Sequence, residues 1–152
     1  VTGYLLVLSG PNLSTLGTRN PDVYGTASLD ELVASTTIAA GAHGLGVRHV
    51  QSNHEGELID AIERREEGCV GVLANLGALT HTSVALHDAL ETLGCPVVEV
   101  HLSNPAAREP FRHVSLIAPV VDGSIAGFGP LSYELAVEAI VRLAGGASGT
   151  TA

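Results

Sequence analysis

The stretch YLLVLSG, residues 4–10, is apolar at consecutive positions and stops at a glycine. A strand with one face in water alternates apolar and polar residues, so an unbroken apolar run demands cover on both faces. CVGVLAN (69–75) repeats the pattern, and GVRHVQS (46–52), PVVEVHLSN (96–104) and VSLIAPVVDGSIAG (114–127) add further strand material. Pro96 is tolerable as the first residue of its strand.

Helical signals fill the intervals. SLDELVASTTIAAGAH (28–43) opens on Ser28 with Glu31 three residues on, a capping box, and carries an apolar stripe of Leu29, Leu32, Val33, Ala39 and Ala40. HEGELIDAIERRE (54–66) sets Leu58, Ile59 and Ile62 on one side, with its arginines late, where they suit the helix dipole. Residues 80–93 and 130–144 read as two more helices, the last with Pro130 in its first turn. Strand and helix therefore alternate, which predicts an α/β three-layer sandwich around a five-stranded parallel sheet, flavodoxin-like in its order 2-1-3-4-5. Residues 1–144 read as a single domain and GGASGTTA, 145–152, as a disordered tail.

Composition narrows the function. Aromatic residues make up only 3%, so Ala, Val, Leu and Ile must build the core. The formal net charge is -9 and the chain has no lysine, which disfavours nucleic acid as a partner and excludes Schiff-base chemistry. No membrane span and no signal peptide are visible, so the expected compartment is the cytoplasm. Cys69 and Cys95 stand apart without a CxxC pattern and read as small buried residues. No metal is expected: His81 and His87, six apart, do not share a helix face. Walker A, GxSxG and HExxH motifs are absent, and GFGPLS (127–132) precedes the wrong helix for a dinucleotide loop.

In open parallel sheets, ligands sit beyond the carboxyl ends of the strands. Three such ends carry polar groups here. After the first strand come Asn12 and the segment TRNPDVYG (18–25), which delivers Arg19 and Tyr24 from a stretch too broken for a helix. After the third come Asn75 and a turn into Thr80, His81, Thr82 and Ser83, a helix start that could bind an anion. On the fourth, Glu99, His101 and Ser103 alternate, so all three point to one face. A carboxylate fixes the tautomer of an adjacent imidazole and suits it as a general acid or base. Arg108 and Arg112 follow at helical spacing.

The blocks SGPNLSTLGTRNPDVYG, QSNHEGELIDAI, LTHTSVALHDA, VEVHLSNPAAREPFRHVS and GFG, spread over residues 5–143, resemble the type II 3-dehydroquinate dehydratases. That resemblance implies anti elimination of water from 3-dehydroquinate to 3-dehydroshikimate through an enolate, in the shikimate and quinate pathways. It also implies catalysis without metal or organic cofactor, and a homododecamer built as a tetramer of trimers. Position by position, it makes Tyr24 the base, Arg19 the group holding its phenolate, and Asn12 a stabiliser of the enolate oxygen. His101, oriented by Glu99, becomes the acid for the departing hydroxyl. Asn75, His81, Leu102, Ser103 and Arg112 match substrate-binding positions, Arg108 a lid-supporting one, and Asp88 one that reaches a neighbouring subunit's site.

Departures from the family pattern carry their own expectations. Asn20 stands where glutamate is common, and Leu76, in place of a small residue or proline, is expected to narrow the pocket or shift the His81 turn. Pro105 and Pro110 interrupt the arginine segment, and Pro110 weakens the argument for one helix there. Val114, Leu116 and Ser132 replace histidine, tyrosine and glycine. Two other readings stay open on the sequence. One is a non-catalytic flavodoxin-like module binding a small acid or a partner; the other is a relative acting on a different cyclic ketoacid.

Overall fold

A computed structural model describes residues 3–147. Five parallel strands, β1 (Tyr4–Ser9), β2 (Gly46–Gln51), β3 (Cys69–Asn75), β4 (Val97–His101) and β5 (Gly123–Ala126), form one sheet in the order β2-β1-β3-β4-β5. The predicted fold class and strand order are both present.

The unbroken apolar runs are explained by two cores. Along β1, Leu5 and Val7 face helices α2 (Leu29–Gly41) and α5 (Leu131–Ala147). Tyr4, Leu6 and Leu8 face α3 (Glu55–Glu63) and α4 (Val84–Glu91) on the other side. All six β1 residues are buried, so neither face of the strand tolerates a polar alternation. Helix α2 starts as its sequence demands. Glu31 N–H donates to Ser28 Oγ at 3.1 Å, and Ser28 N–H donates to Glu31 Oε2 at 3.0 Å. Such a cap stabilises a helix by about 1 kcal/mol.

Five element boundaries differ from expectation. Residues 18–25 do contain helix: α1 (Pro21–Tyr24) is a single turn that places Pro21 at its first position, where a missing N–H costs nothing. The 80–93 helix begins only at Val84, because Ser83 caps it by accepting from Leu86 N–H; His81 closes a separate 3-10 turn, Gly77–His81. The fourth strand ends at His101, so Ser103 lies in the turn beyond it. Of 114–127 only Gly123–Ala126 pairs in the sheet. Helix α5 runs to Ala147, past the expected limit at 144, and residues 148–152 of the expected tail lie outside the described residues.

The loops after β1 and β3 are pressed together. Gly10 N–H donates to the Asn75 carbonyl at 2.8 Å, and a Cβ at position 10 would stand 2.1 Å from the Leu76 carbonyl oxygen. Any side chain there would force the two loops apart, and with them Asn12 and Asn75. At the opposite end of the sheet Cys69 and Cys95 are half-buried free thiols, and Cys69 Sγ donates to the Gly71 carbonyl at 3.6 Å.

Candidate active site

The carboxyl ends of β1, β3 and β4 open into one cleft. Asn12, Arg19, Tyr24, Asn75 and His81 line it from the first two, and His101, Leu102, Ser103, Arg108 and Arg112 from the third. Ten of the twelve sequence-predicted site residues therefore share this cleft. Glu99 stands behind it, against His101. Asp88 is elsewhere, exposed on α4 beside His87, whose Nδ1 is 3.1 Å from its carboxylate. Leu76 does not narrow the cleft: its side chain is fully buried in the α3/α4 core.

His101 is the most constrained ring. Its Nε2 lies 2.6 Å from Glu99 Oε2, and the other carboxylate oxygen, Oε1, accepts from the Ser115 hydroxyl at 2.7 Å. A carboxylate can only accept, so Nε2 carries the hydrogen and Nδ1 is left for chemistry. Burial works against the charge on Glu99. The hydrogen bonds from His101 and Ser115, with the nearby His101 and His81 charges, outweigh it and hold the carboxyl below its usual value. The His81 ring stacks on His101, with centroids 6.4 Å apart and planes 15° from parallel. His81 Nδ1 donates to the Val114 carbonyl at 2.7 Å, which leaves Nε2 free to bond a hydroxyl in the cleft.

Asn75 ends β3 almost fully buried. Its Nδ2 donates to the Tyr133 hydroxyl at 2.9 Å, and its Oδ1 accepts from Gly77 N–H at 3.4 Å. Asn12 sits at φ 68, a left-handed conformation that asparagine tolerates, and its N–H donates to Asn53 Oδ1 at 3.0 Å.

Tyr24 comes to the cleft at the end of the α1 turn. Arg19 and Arg108 each place their guanidinium carbon 5.0 Å from its ring centroid. Two cations thus stand against the face of one phenol ring. Arg108 also donates to Ser103 Oγ at 3.4 Å, and Arg112 Nε lies 2.6 Å from Glu109 Oε2. The two arginines do not share a helix: Pro110 starts a new 3-10 turn, Pro110–Arg112, and Arg108 is extended. They converge on the cleft through that kink.

The supporting residues escaped the sequence. Ser115, the Val114 carbonyl, Asn53 and Tyr133 each orient a cleft residue, from distant points of the chain. Asn53, Val114 and Ser115 lie within the blocks that carry the resemblance, but nothing in the sequence marked them as partners of these residues.

This constellation has known counterparts. A family model described as dehydroquinase class II matches residues 3–141. A 3-dehydroquinate dehydratase of Azorhizobium caulinodans is 56% identical over 88% of this chain and 90% of its own length. One of Ruegeria pomeroyi is 57% identical over 90% of this chain and 91% of its own. The crystal structure of type II dehydroquinase from Butyrivibrio crossotus superposes with a TM-score of 0.88 at 38% identity, covering 91% of this chain and 97% of that one. With the matching model spanning the strands, the cleft and most of the last helix, the chain belongs to the class II dehydroquinase family.

Proposed function

We propose that this chain removes water from 3-dehydroquinate to give 3-dehydroshikimate, by anti elimination through an enolate. Family membership supports the reaction, and the cleft supports a division of roles. Tyr24, as phenolate against the Arg19 and Arg108 guanidiniums, takes the proton beside the ketone. Asn12 stabilises the enolate oxygen through a water. The imidazolium of His101, its positive charge balanced by Glu99, gives the Nδ1 proton to the departing hydroxyl, which leaves as water. The carbon–hydrogen and carbon–oxygen bonds are thus exchanged for a conjugated double bond. Asn75, His81, Leu102, Ser103 and Arg112 hold the substrate's hydroxyls and carboxylate, and Arg108 supports the closed 18–25 segment.

The observation that carries this reading is the convergence of the Glu99–His101 pair and an arginine-flanked Tyr24 on one cleft. The catalytic unit is a single domain whose last helix passes the expected limit at 144, working in the cytoplasm on the shikimate pathway to aromatic amino acids. It assembles as a homododecamer, a tetramer of trimers, in which the exposed Asp88 completes a neighbouring subunit's site. Purified protein mixed with 3-dehydroquinate should develop the ultraviolet absorbance of a conjugated enone. A flat trace at micromolar enzyme removes the assignment and returns the chain to the reading of a non-catalytic binding module.

A further inference from the structure

Asn75 presents a buried amide whose two ends differ chemically while being nearly equal in shape. Its usefulness to a substrate depends on which end faces the cleft. The structure answers this with groups from three other elements, on the α2/α5 side of the sheet. Asn75 Nδ2 donates to the Tyr133 oxygen at 2.9 Å. Ser9, the register partner of Asn75 on β1, is buried beside the Tyr133 hydroxyl and acts on it, lowering its pKa against the effect of burial. Ser9 Oγ in turn lies 2.8 Å from His49 Nε2 on β2. Asn75, Tyr133 and Ser9 are 3%, 0% and 0% exposed, so water does not stand in for a missing partner.

We propose that Tyr133, Ser9 and His49 form a buried hydrogen-bond relay that fixes the orientation of the Asn75 amide, and that they are positioning residues for the dehydration. The polarity of the relay follows from counting hydrogens. The Tyr133 oxygen accepts from Asn75, so its own proton goes to Ser9. The Ser9 oxygen accepts that proton, so the serine hydroxyl donates to His49 Nε2, which can accept only in the neutral ring with its hydrogen on Nδ1. Burial lowers the pKa of His49, opposed by the charge of Asp30 on α2, and favours that neutral form. Burial also pushes Tyr133 up to about 12, against the opposing effects of Asn75 and Ser9, so its phenol keeps the proton that the relay uses. Were His49 protonated, Nε2 would aim a hydrogen at Ser9 and leave one hydroxyl proton of the buried chain without an acceptor. The arrangement therefore has a single consistent direction, running from the Asn75 amide to the edge of β2. Chains of this kind strengthen each member and specify one arrangement.

The kinetic test of this inference rests on the dehydratase reading, and its structural test does not. Tyr133→Phe deletes a single oxygen and should lower kcat/KM by about tenfold, the order expected when a buried amide loses its partner. Ser9→Ala, one link further out, should lose less, about threefold. In an Asn75→Ala background Tyr133→Phe should change kcat/KM by less than about twofold, because its effect passes through the missing amide. An undiminished tenfold loss in that background would show a general structural role and overturn the proposal. So would Tyr133→Phe and Ser9→Ala enzymes that both match the wild type. If the wild type itself fails to turn over 3-dehydroquinate, the dehydratase reading falls alone. The relay is then decided by crystal structures of Tyr133→Phe and Ser9→Ala: an Asn75 amide turned or flipped, with its nitrogen and oxygen assigned from their hydrogen-bond partners, supports it in either, and an amide whose Oδ1 still accepts from Gly77 N–H in both overturns it.

Discussion

The two halves of the proposed chemistry are held in different ways. The acid side is part of the sheet: Glu99 and His101 lie on β4, Glu99 is 4% exposed, and each makes a side-chain hydrogen bond shorter than 2.8 Å. The base side hangs on the segment 18–25, largely exposed, whose turn is held by backbone bonds to nearby Thr15, Asn20 and Pro21. Tyr24 is set there by the ring contacts of Arg19 and Arg108. A fixed acid and a base on a local turn suit a site that must admit a substrate and then surround it, because the tyrosine can travel with its turn while the histidine keeps its orientation. Variants on the two sides should therefore fail differently, and substitutions at three positions test that contrast.

Tyr24→Phe carries the largest expected effect. It removes the base and leaves the ring contacts with both arginines available, so turnover should fall about 1,000-fold. Substrate affinity by calorimetry should stay within about threefold, since the cleft keeps its binding groups. Thermal stability should be nearly unchanged, because the phenylalanine ring keeps the packing of Tyr24 against the α2/α5 core. A variant that keeps near-normal turnover would assign the base elsewhere.

Glu99→Gln should show the opposite mixture. Loss of the carboxylate leaves His101 without its counter-charge, and kcat should drop about 100-fold. The substitution should also reach the fold, through pH. Folding lowers the Glu99 pKa beneath the usual 4.5, so above that value the folded state gains stability from the charged carboxylate. That gain fades as pH falls from 4.5 through the lower folded value, because the unfolded chain binds the proton first. Melting curves from pH 7 to pH 3 should therefore be flatter for Glu99→Gln than for the wild type. Parallel curves would mean that the ion pair contributes nothing to folding. Tyr24→Phe should follow the wild-type curve throughout.

The same contrast governs how much was legible in the sequence. The sheet, its order and the rim positions could be read because burial writes itself into composition: YLLVLS is apolar throughout since both faces are covered. The spacing of Glu99 and His101 by two residues was enough to place them on one face. Ser103 was overextended, since the pattern of alternation does not say where pairing stops. The partners that orient the site were not legible. Ser115 reaches Glu99 across sixteen positions and Tyr133 reaches Asn75 across fifty-eight, and such pairs have no local signature. Leu76 misled for a related reason: its number placed it beside the cleft, and only the direction of its side chain placed it in the core. Asp88 kept its motif but lies outside the cleft of its own chain.

Asn20 gives the smallest and most local test. It stands at φ 38, ψ 66, directly before Pro21, and its carbonyl accepts from Val23 and Tyr24 N–H at 2.9 and 3.1 Å. That carbonyl sets the turn that ends at Tyr24, and the left-handed backbone is what aims it. Asparagine and glycine enter this region readily, while a β-branched residue there is an outlier costing roughly 1–2 kcal/mol. Asn20→Gly should thus keep kcat/KM within about twofold, and Asn20→Val should lower it by about tenfold if the strain opens the turn. Neither should move the melting temperature by more than about 2 °C, because the penalty falls on a segment that can let go of its turn without disturbing the sheet. Equal melting temperatures with unequal activities would separate the base's mounting from the fold. A shared drop in both would mean that the segment is as much a part of the framework as the strand carrying His101.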